Sequence, residues 1–80
     1  MTQNEALAWL AGIFEESPDA LRPDTPRDEI AAWDSLGVLT LMAELDEKFN
    51  IQLEADEMEN MKKVQDLLAV LERHGALAQA

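Results

Sequence analysis

Apolar residues recur along the chain at the three- and four-residue spacing of a helix, not at the alternating spacing of a strand. The pattern predicts a first helix at about residues 3–16. Thr2 and Glu5 form a capping box at its start, and Ser17-Pro18 is expected to end it, because a residue before proline is disfavoured in the helical region.

The second helix has the clearest pattern. We expect Asp34 to cap it, Ser35 to lie in its first turn, and the helix to run to about Phe49, where Asn50 tolerates a left-handed exit. Ile51 and Leu53 follow as apolar anchors. The side of the helix that faces inward is predicted to consist of Val38, Leu41, Met42, Leu45 and Phe49.

Two further helices are predicted near the end of the chain. The segment 55–61 is long enough only for a short third helix, with Met58 and Met61 pointing inward. The last helix is expected to end at Gly75 and to bury Val64, Leu67, Leu68 and Leu71.

The connection between the first two helices is unusually long, from Ser17 to Trp33, and carries all three prolines. Within it, Thr25 is expected to cap one short helical turn that starts at Pro26. Its anchors are expected to be Leu21, Ile30 and Trp33. The predicted fold is all-α: a single domain over 1–80, built as a small four-helix bundle of three main helices and one short one, with 1–2 and 76–80 frayed.

The composition indicates where the protein works and what kinds of partner it binds. The chain has no cysteine and a net charge of −11, and fifteen of its seventeen acids precede Met61. Such a surface repels nucleic acid and attracts basic protein surfaces. No apolar run approaches the roughly 20 residues of a membrane span, and no signal peptide is evident. We therefore expect a monomeric cytoplasmic protein.

The chain offers few parts for catalysis. Its one histidine, His74, lies near the predicted end of the last helix, and its only serines are Ser17 and Ser35. Nothing in the sequence suggests a Ser-His-Asp arrangement. The segment from Asp24 lacks the glycine and the final acid of an EF-hand loop. We therefore expect neither enzymatic activity nor a metal site.

Ser35 is the remaining candidate. Its hydroxyl is expected to point outward at the positive end of a helix, where a phosphodiester would be favoured, although the charge of Asp34 opposes this. The alternative is that Asp34 and Ser35 simply cap a helix. The tripeptide alone does not decide between these two interpretations.

The residues around Ser35 decide between these two interpretations. The segment Trp33-Asp34-Ser35-Leu36, followed by the apolar rhythm to Leu45 and then Asp46-Glu47-Lys48-Phe49, resembles the modification-site helix of acyl carrier proteins. The resemblance covers about residues 3–73. It implies that Ser35, flanked by Asp34 and Leu36, receives 4′-phosphopantetheine from coenzyme A through a phosphopantetheinyl transferase. The thiol of that arm would hold acyl groups as thioesters for other enzymes, and the chain itself would catalyse nothing.

The resemblance also implies two surfaces. In the family, the acyl chain tucks between the second helix and the helices after it, at positions matched here by Leu39, Met42, Leu45, Met58 and Met61. Acyl-transfer and chain-elongation enzymes use basic surfaces to dock on the exposed face of the second helix, matched here by Leu36, Glu44, Asp46 and Glu47.

Two positions depart from the family pattern. Many fatty-acid carriers have acids two and five residues after the serine, where this chain has Gly37 and Thr40. This favours a carrier of a specialised pathway over a housekeeping one. An aminoacyl carrier, D-alanyl or peptidyl, remains open as an alternative, as does an acidic helical adaptor that carries no cofactor.

Overall fold

The computed structural model describes residues 1–77; residues 78–80, where fraying was also expected, lie outside the described part. Within it the chain forms four α-helices and no strand, confirming the all-α prediction. They are α1 (Gln3–Ile13), α2 (Ser35–Phe49), α3 (Ala55–Glu59) and α4 (Val64–Arg73). No helix within 1–77 combines the length and apolar character needed to cross a membrane.

Helix α1 begins as predicted and ends early. The Thr2 hydroxyl accepts the Glu5 N–H at 3.1 Å, and the Glu5 carboxylate accepts the Thr2 N–H at 2.8 Å. The helix stops at Ile13 because Glu15 adopts a left-handed φ of 59° and the Glu16 N–H bonds back to the Ala11 carbonyl. The expected end at residue 16 is wrong, since this turn comes before Ser17-Pro18.

The long connection packs through the three predicted anchors, Leu21, Ile30 and Trp33, each 5% exposed or less. Its short 3-10 turn covers Arg27–Glu29, with Pro26 extended before it. The expectation that Thr25 caps this turn is wrong: the Thr25 hydroxyl accepts the Arg22 N–H instead.

Arg27 joins the long connection to the end of α3. Its guanidinium donates to the carbonyls of Met58 (3.1 Å), Glu59 (3.4 Å) and Met61 (3.3 Å). The same group lies 5.3 Å from the centroid of the Trp33 ring. One side chain thus supplies donors to three carbonyls at and just beyond the end of α3, of which the Met58 carbonyl also accepts the Met61 N–H.

The remaining helix ends use local caps. Asn50 takes the left-handed conformation expected of it, with φ 55° and ψ 37°. The Asp66 carboxylate accepts the backbone N–H groups of Lys62 and Lys63 at the start of α4. Gly75, at φ 73°, ends α4 as predicted.

One core runs through the bundle, and each helix contributes to it. Met58 and Met61 point inward as predicted, although Met61 lies beyond the end of α3. The Met1 ammonium donates to the Ala76 carbonyl at 3.1 Å, and both residues pack against the core, while fraying at the chain ends stays a prediction. The fully buried large side chains are Leu10, Phe14, Leu41, Met58, Val64 and Leu71.

Candidate functional site

Ser35 is the first residue of α2 and is exposed. The Asp34 side chain accepts the Gly37 N–H at 2.9 Å, so the cap is made by Asp34 and leaves the serine oxygen unused. The Ser35 hydroxyl has no hydrogen-bond partner among residues 1–77. A free hydroxyl therefore stands at the positive end of a 15-residue helix.

The segment before the serine is anchored to the core by Trp33. Its ring is 4% exposed and stacks on Phe14 with centroids 5.2 Å apart. Arg27 covers another part of the ring. The indole N–H lacks a partner within the described residues, so packing and the cation–π contact hold Trp33 in place.

Gly37 allows this segment to approach α2 closely. A Cβ atom at Gly37 would lie 1.8 Å from the Ala32 carbonyl oxygen and 2.9 Å from the carbon of the same group. In the sequence Gly37 is only a departure from a family pattern, and nothing near it in the chain indicates this contact. Only the absence of a side chain at Gly37 lets the chain entering the site rest on the first turn of the helix.

Two large apolar side chains lie exposed just after the serine. Leu36 is 73% exposed and Leu39 is 64% exposed. The expectation that Leu39 lines an interior pocket is therefore wrong for this structure. Because residues three apart on a helix lie side by side, Leu36 and Leu39 form one outward apolar patch.

The predicted docking acids flank this patch. Asp46 and Glu47 are exposed and Glu44 is half-buried. Asp46 also accepts a weak hydrogen bond from Gln52 at 3.4 Å. None of these acids has a basic side chain of this chain paired with it among residues 1–77, so their charges are available to a partner.

The other predicted pocket residues form part of the core. Leu45 is 2% exposed, Met58 is fully buried and Met61 is 6% exposed. Met42 is half-buried against them. The space between α2 and α3 is thus filled by the chain's own side chains.

The histidine of the chain lies at the end of α4, far along the sequence from Ser35 at the start of α2. His74 is the exposed C-cap of α4. Hydrogen bonds that the Glu5 carboxylate accepts from the Thr2 backbone N–H and hydroxyl lower its pKa. That shift belongs to the α1 cap.

Comparison with known proteins agrees with the resemblance seen in the sequence around Ser35. The family profile described as a phosphopantetheine attachment site matches residues 6–71. An acyl carrier protein from Exiguobacterium sibiricum is 41% identical over 68 residues, covering 85% of this chain and 82% of that protein. The solution structure of a holo acyl carrier protein from Geobacter metallireducens matches with a TM-score of 0.74 and 27% identity, covering 95% of this chain and 88% of that one.

These matches extend over all four helices and include the helix that begins at Ser35. They favour a protein that carries a covalently bound 4′-phosphopantetheine group over a catalyst or a cofactor-free adaptor. The chain belongs to the acyl carrier protein family.

Proposed function

We propose that Ser35 is the residue to which 4′-phosphopantetheine is attached. The observation that carries this proposal is the free, exposed hydroxyl at the first position of α2. The site fits a phosphodiester because the first backbone N–H groups of a helix lack partners within the helix and carry partial positive charge. Ser17, the other serine, lies outside any helix.

Attachment is a substitution at phosphorus. The Ser35 oxygen would bond to the phosphorus that bears pantetheine in coenzyme A, while the phosphoanhydride bond to the adenosine portion breaks. The serine proton leaves with a base of the transferase. The arm supplies a thiol that holds acyl groups as thioesters.

The residues around Ser35 prepare this step. Asp34 caps the helix through the Gly37 N–H and so fixes the direction in which the serine points. Leu36, exposed beside the serine, is an apolar anchor for the transferase. Buried Trp33 keeps the preceding backbone in one conformation, which lowers the entropic cost of being bound.

We propose the outward face of α2 as the docking surface for acyl-transfer and chain-elongation enzymes. The apolar contribution is Leu36 together with Leu39, and the acidic contribution is Glu44, Asp46 and Glu47. A basic partner surface would be steered to this face by the net charge of −11. Cargo burial, if it follows the family, would require Met42, Met58 and Met61 to rearrange around the acyl chain, which flexible thioether side chains do readily.

The pathway is proposed to be a specialised one. Gly37 and Thr40 leave the front of the docking surface without the acids of many fatty-acid carriers. We further propose a monomer that works in the cytoplasm with acyl rather than aminoacyl cargo. Mass spectrometry of protein isolated from its own cells, with the group on the pantetheine thiol identified, tests the cargo: an amino acid there would favour the aminoacyl carrier.

The attachment residue is tested by loading. The wild type, Ser35→Ala and Ser17→Ala are incubated with coenzyme A and a promiscuous phosphopantetheinyl transferase, then analysed by intact mass and peptide mapping. We expect the mass of one phosphopantetheine on the wild type and on Ser17→Ala, and none on Ser35→Ala with its helical circular dichroism unchanged. Loading of Ser35→Ala would refute the assignment.

A further inference from the structure

A surface groove runs between α1 and α2 and begins beside the proposed attachment residue. Its first part, about 430 Å³, is bounded by the chain around Ser35, including Asp34, Leu36 and Gly37. Its second part, about 470 Å³, extends to Trp9 and Glu44. Both parts share the same walls, formed by Ile13, Glu15 and Thr40.

The floor of the groove on α1 is open because of Gly12. A Cβ built on Gly12 meets no atom within 4 Å, and Gly12 is exposed. At the far end the groove is closed by Trp9, whose ring packs edge-on against Phe49 at 5.4 Å. From Leu36 to Glu44 the groove follows α2 for about 12 Å, at the helical rise of about 1.5 Å per residue.

A further pocket, of about 580 Å³, lies between the long connection and residues 59–62, and no residue of α2 lines it. The opposite side of α2 faces the core. Leu45, Met58 and Met61 fill the interior there. A group attached to Ser35 would have to displace those side chains on one side of the helix, whereas on the other side it meets a groove that already exists. Moving buried side chains carries the cost of disrupting a packed core.

We propose that, when no acyl chain is attached, the phosphopantetheine arm rests in this α1–α2 groove. The inference rests on the proposed attachment at Ser35. Beyond its phosphate the arm is uncharged, with apolar carbons and amide N–H donors. The groove matches this chemistry: Leu36 and Ile13 offer apolar contact, and the Glu15 and Glu44 carboxylates accept N–H groups.

Thr40 adds an acceptor in the middle of the groove. Its hydroxyl donates to the Leu36 carbonyl at 3.0 Å, which leaves the oxygen lone pairs directed away from the helix backbone. An acid at this position would add a further negative charge to a wall that has only acidic charged groups. Thr40 thus keeps the groove suited to a neutral, amide-bearing chain.

The chain has no cysteine, so the thiol of the loaded arm is the only thiol in the protein. The loaded protein, verified by mass, is labelled there with a maleimide spin label and compared with its reduced form by ¹H–¹⁵N spectra. We expect broadening of the amides of Ala8 and Gly12 and of the Trp9 indole signal, with the buried Trp33 indole far less affected. Broadening centred on Met58 and Met61, or no localised broadening, would overturn the groove assignment.

Blocking the groove supplies the second test. Gly12→Leu fills the open floor without meeting other atoms at its Cβ, and Ala69→Leu adds the same side chain at an exposed position on α4. Both variants should still load, but only Gly12→Leu should lose the broadening at Ala8 and Trp9. Equal patterns in the two variants would contradict the groove. Absence of loading in the wild type would refute attachment at Ser35 instead, so the two failures are distinguishable.

Discussion

The close approach of Ala32 to α2 makes Gly37 the most informative position to change. In Gly37→Ala the new methyl group would lie 1.8 Å from the Ala32 carbonyl oxygen, against an ordinary contact of 3.4 Å or more. The two segments must therefore separate by about 1.6 Å (3.4 − 1.8). Because Trp33 follows Ala32 directly, that movement also disturbs the stack on Phe14.

Two effects of opposite sign set the magnitude. Replacing glycine by alanine within a helix stabilises by up to about 1 kcal/mol, whereas overpacking a well-packed contact costs about 1–3 kcal/mol. Because the new methyl group would meet a backbone atom, the Ala32 carbonyl oxygen, no side-chain rotation can remove the clash. The overpacking cost should therefore lie in the upper part of the range of about 1–3 kcal/mol, at about 2–3 kcal/mol. We expect Gly37→Ala to lower the free energy of unfolding by about 1–2 kcal/mol, or the Tm by roughly 4–16 °C.

Gly12→Ala is the matched control, because it makes the same chemical change where the new Cβ meets nothing within 4 Å. There only the gain in helix propensity operates, and the Tm should rise by up to about 8 °C. Thermal unfolding followed by circular dichroism at one pH and salt concentration measures both. A Gly37→Ala protein as stable as the wild type, or stabilised like Gly12→Ala, would refute the reasoning.

Three further changes test other contacts. Arg27→Gln should lower the free energy of unfolding by about 1.5–3 kcal/mol in urea titrations, because three carbonyls lose a charged donor. The control Arg22→Gln, at an exposed position, should change that free energy by less than about 0.5 kcal/mol. Equal losses in the two variants would contradict the role of Arg27. Hydrogen bonds accepted from the Thr2 backbone N–H and hydroxyl lower the pKa of Glu5, so its stabilising effect is complete above the ordinary carboxyl pKa and disappears as the pH falls through the lowered value. The Tm difference between wild type and Glu5→Gln should therefore vanish in acid, and a pH-independent difference would exclude this linkage. Leu39→Ala, at a 64% exposed site, should leave Tm nearly unchanged yet reduce kcat/KM of a docking enzyme; unchanged kinetics would remove Leu39 from the docking surface.

Local rules predicted much of this molecule from the sequence. The Asp34 cap, the left-handed exit at Asn50 and the Gly75 stop all depend on atoms within a few residues of each other. The same holds for the position of Ser35, because the Asp34 cap marks where α2 begins and Ser35 is the next residue. Resemblance of the segment around Ser35 then carried the family assignment, which the comparisons confirmed.

Helical spacing could assign residues to a face but could not say what covers that face. For Leu39 only the family resemblance implies an inward position; helical spacing does not include it in the inward face of α2, and the structure places it outside. The premature end of α1 has a similar origin: a left-handed Glu15 is uncommon for a residue with a Cβ and carries no clear sequence signal.

Short-range hydrogen bonding and hydrophobic periodicity made four features predictable from the sequence alone: the presence of four helices, the capping box of α1, the Asp34 cap and the serine that begins α2. Three features became evident only once the chain was folded: Gly37 admits the Ala32 carbonyl, Arg27 reaches the end of α3, and α1 and α2 leave a groove between them. Each of these depends on atoms brought together from separate parts of the chain, where packing and steric exclusion, rather than local preference, determine the outcome.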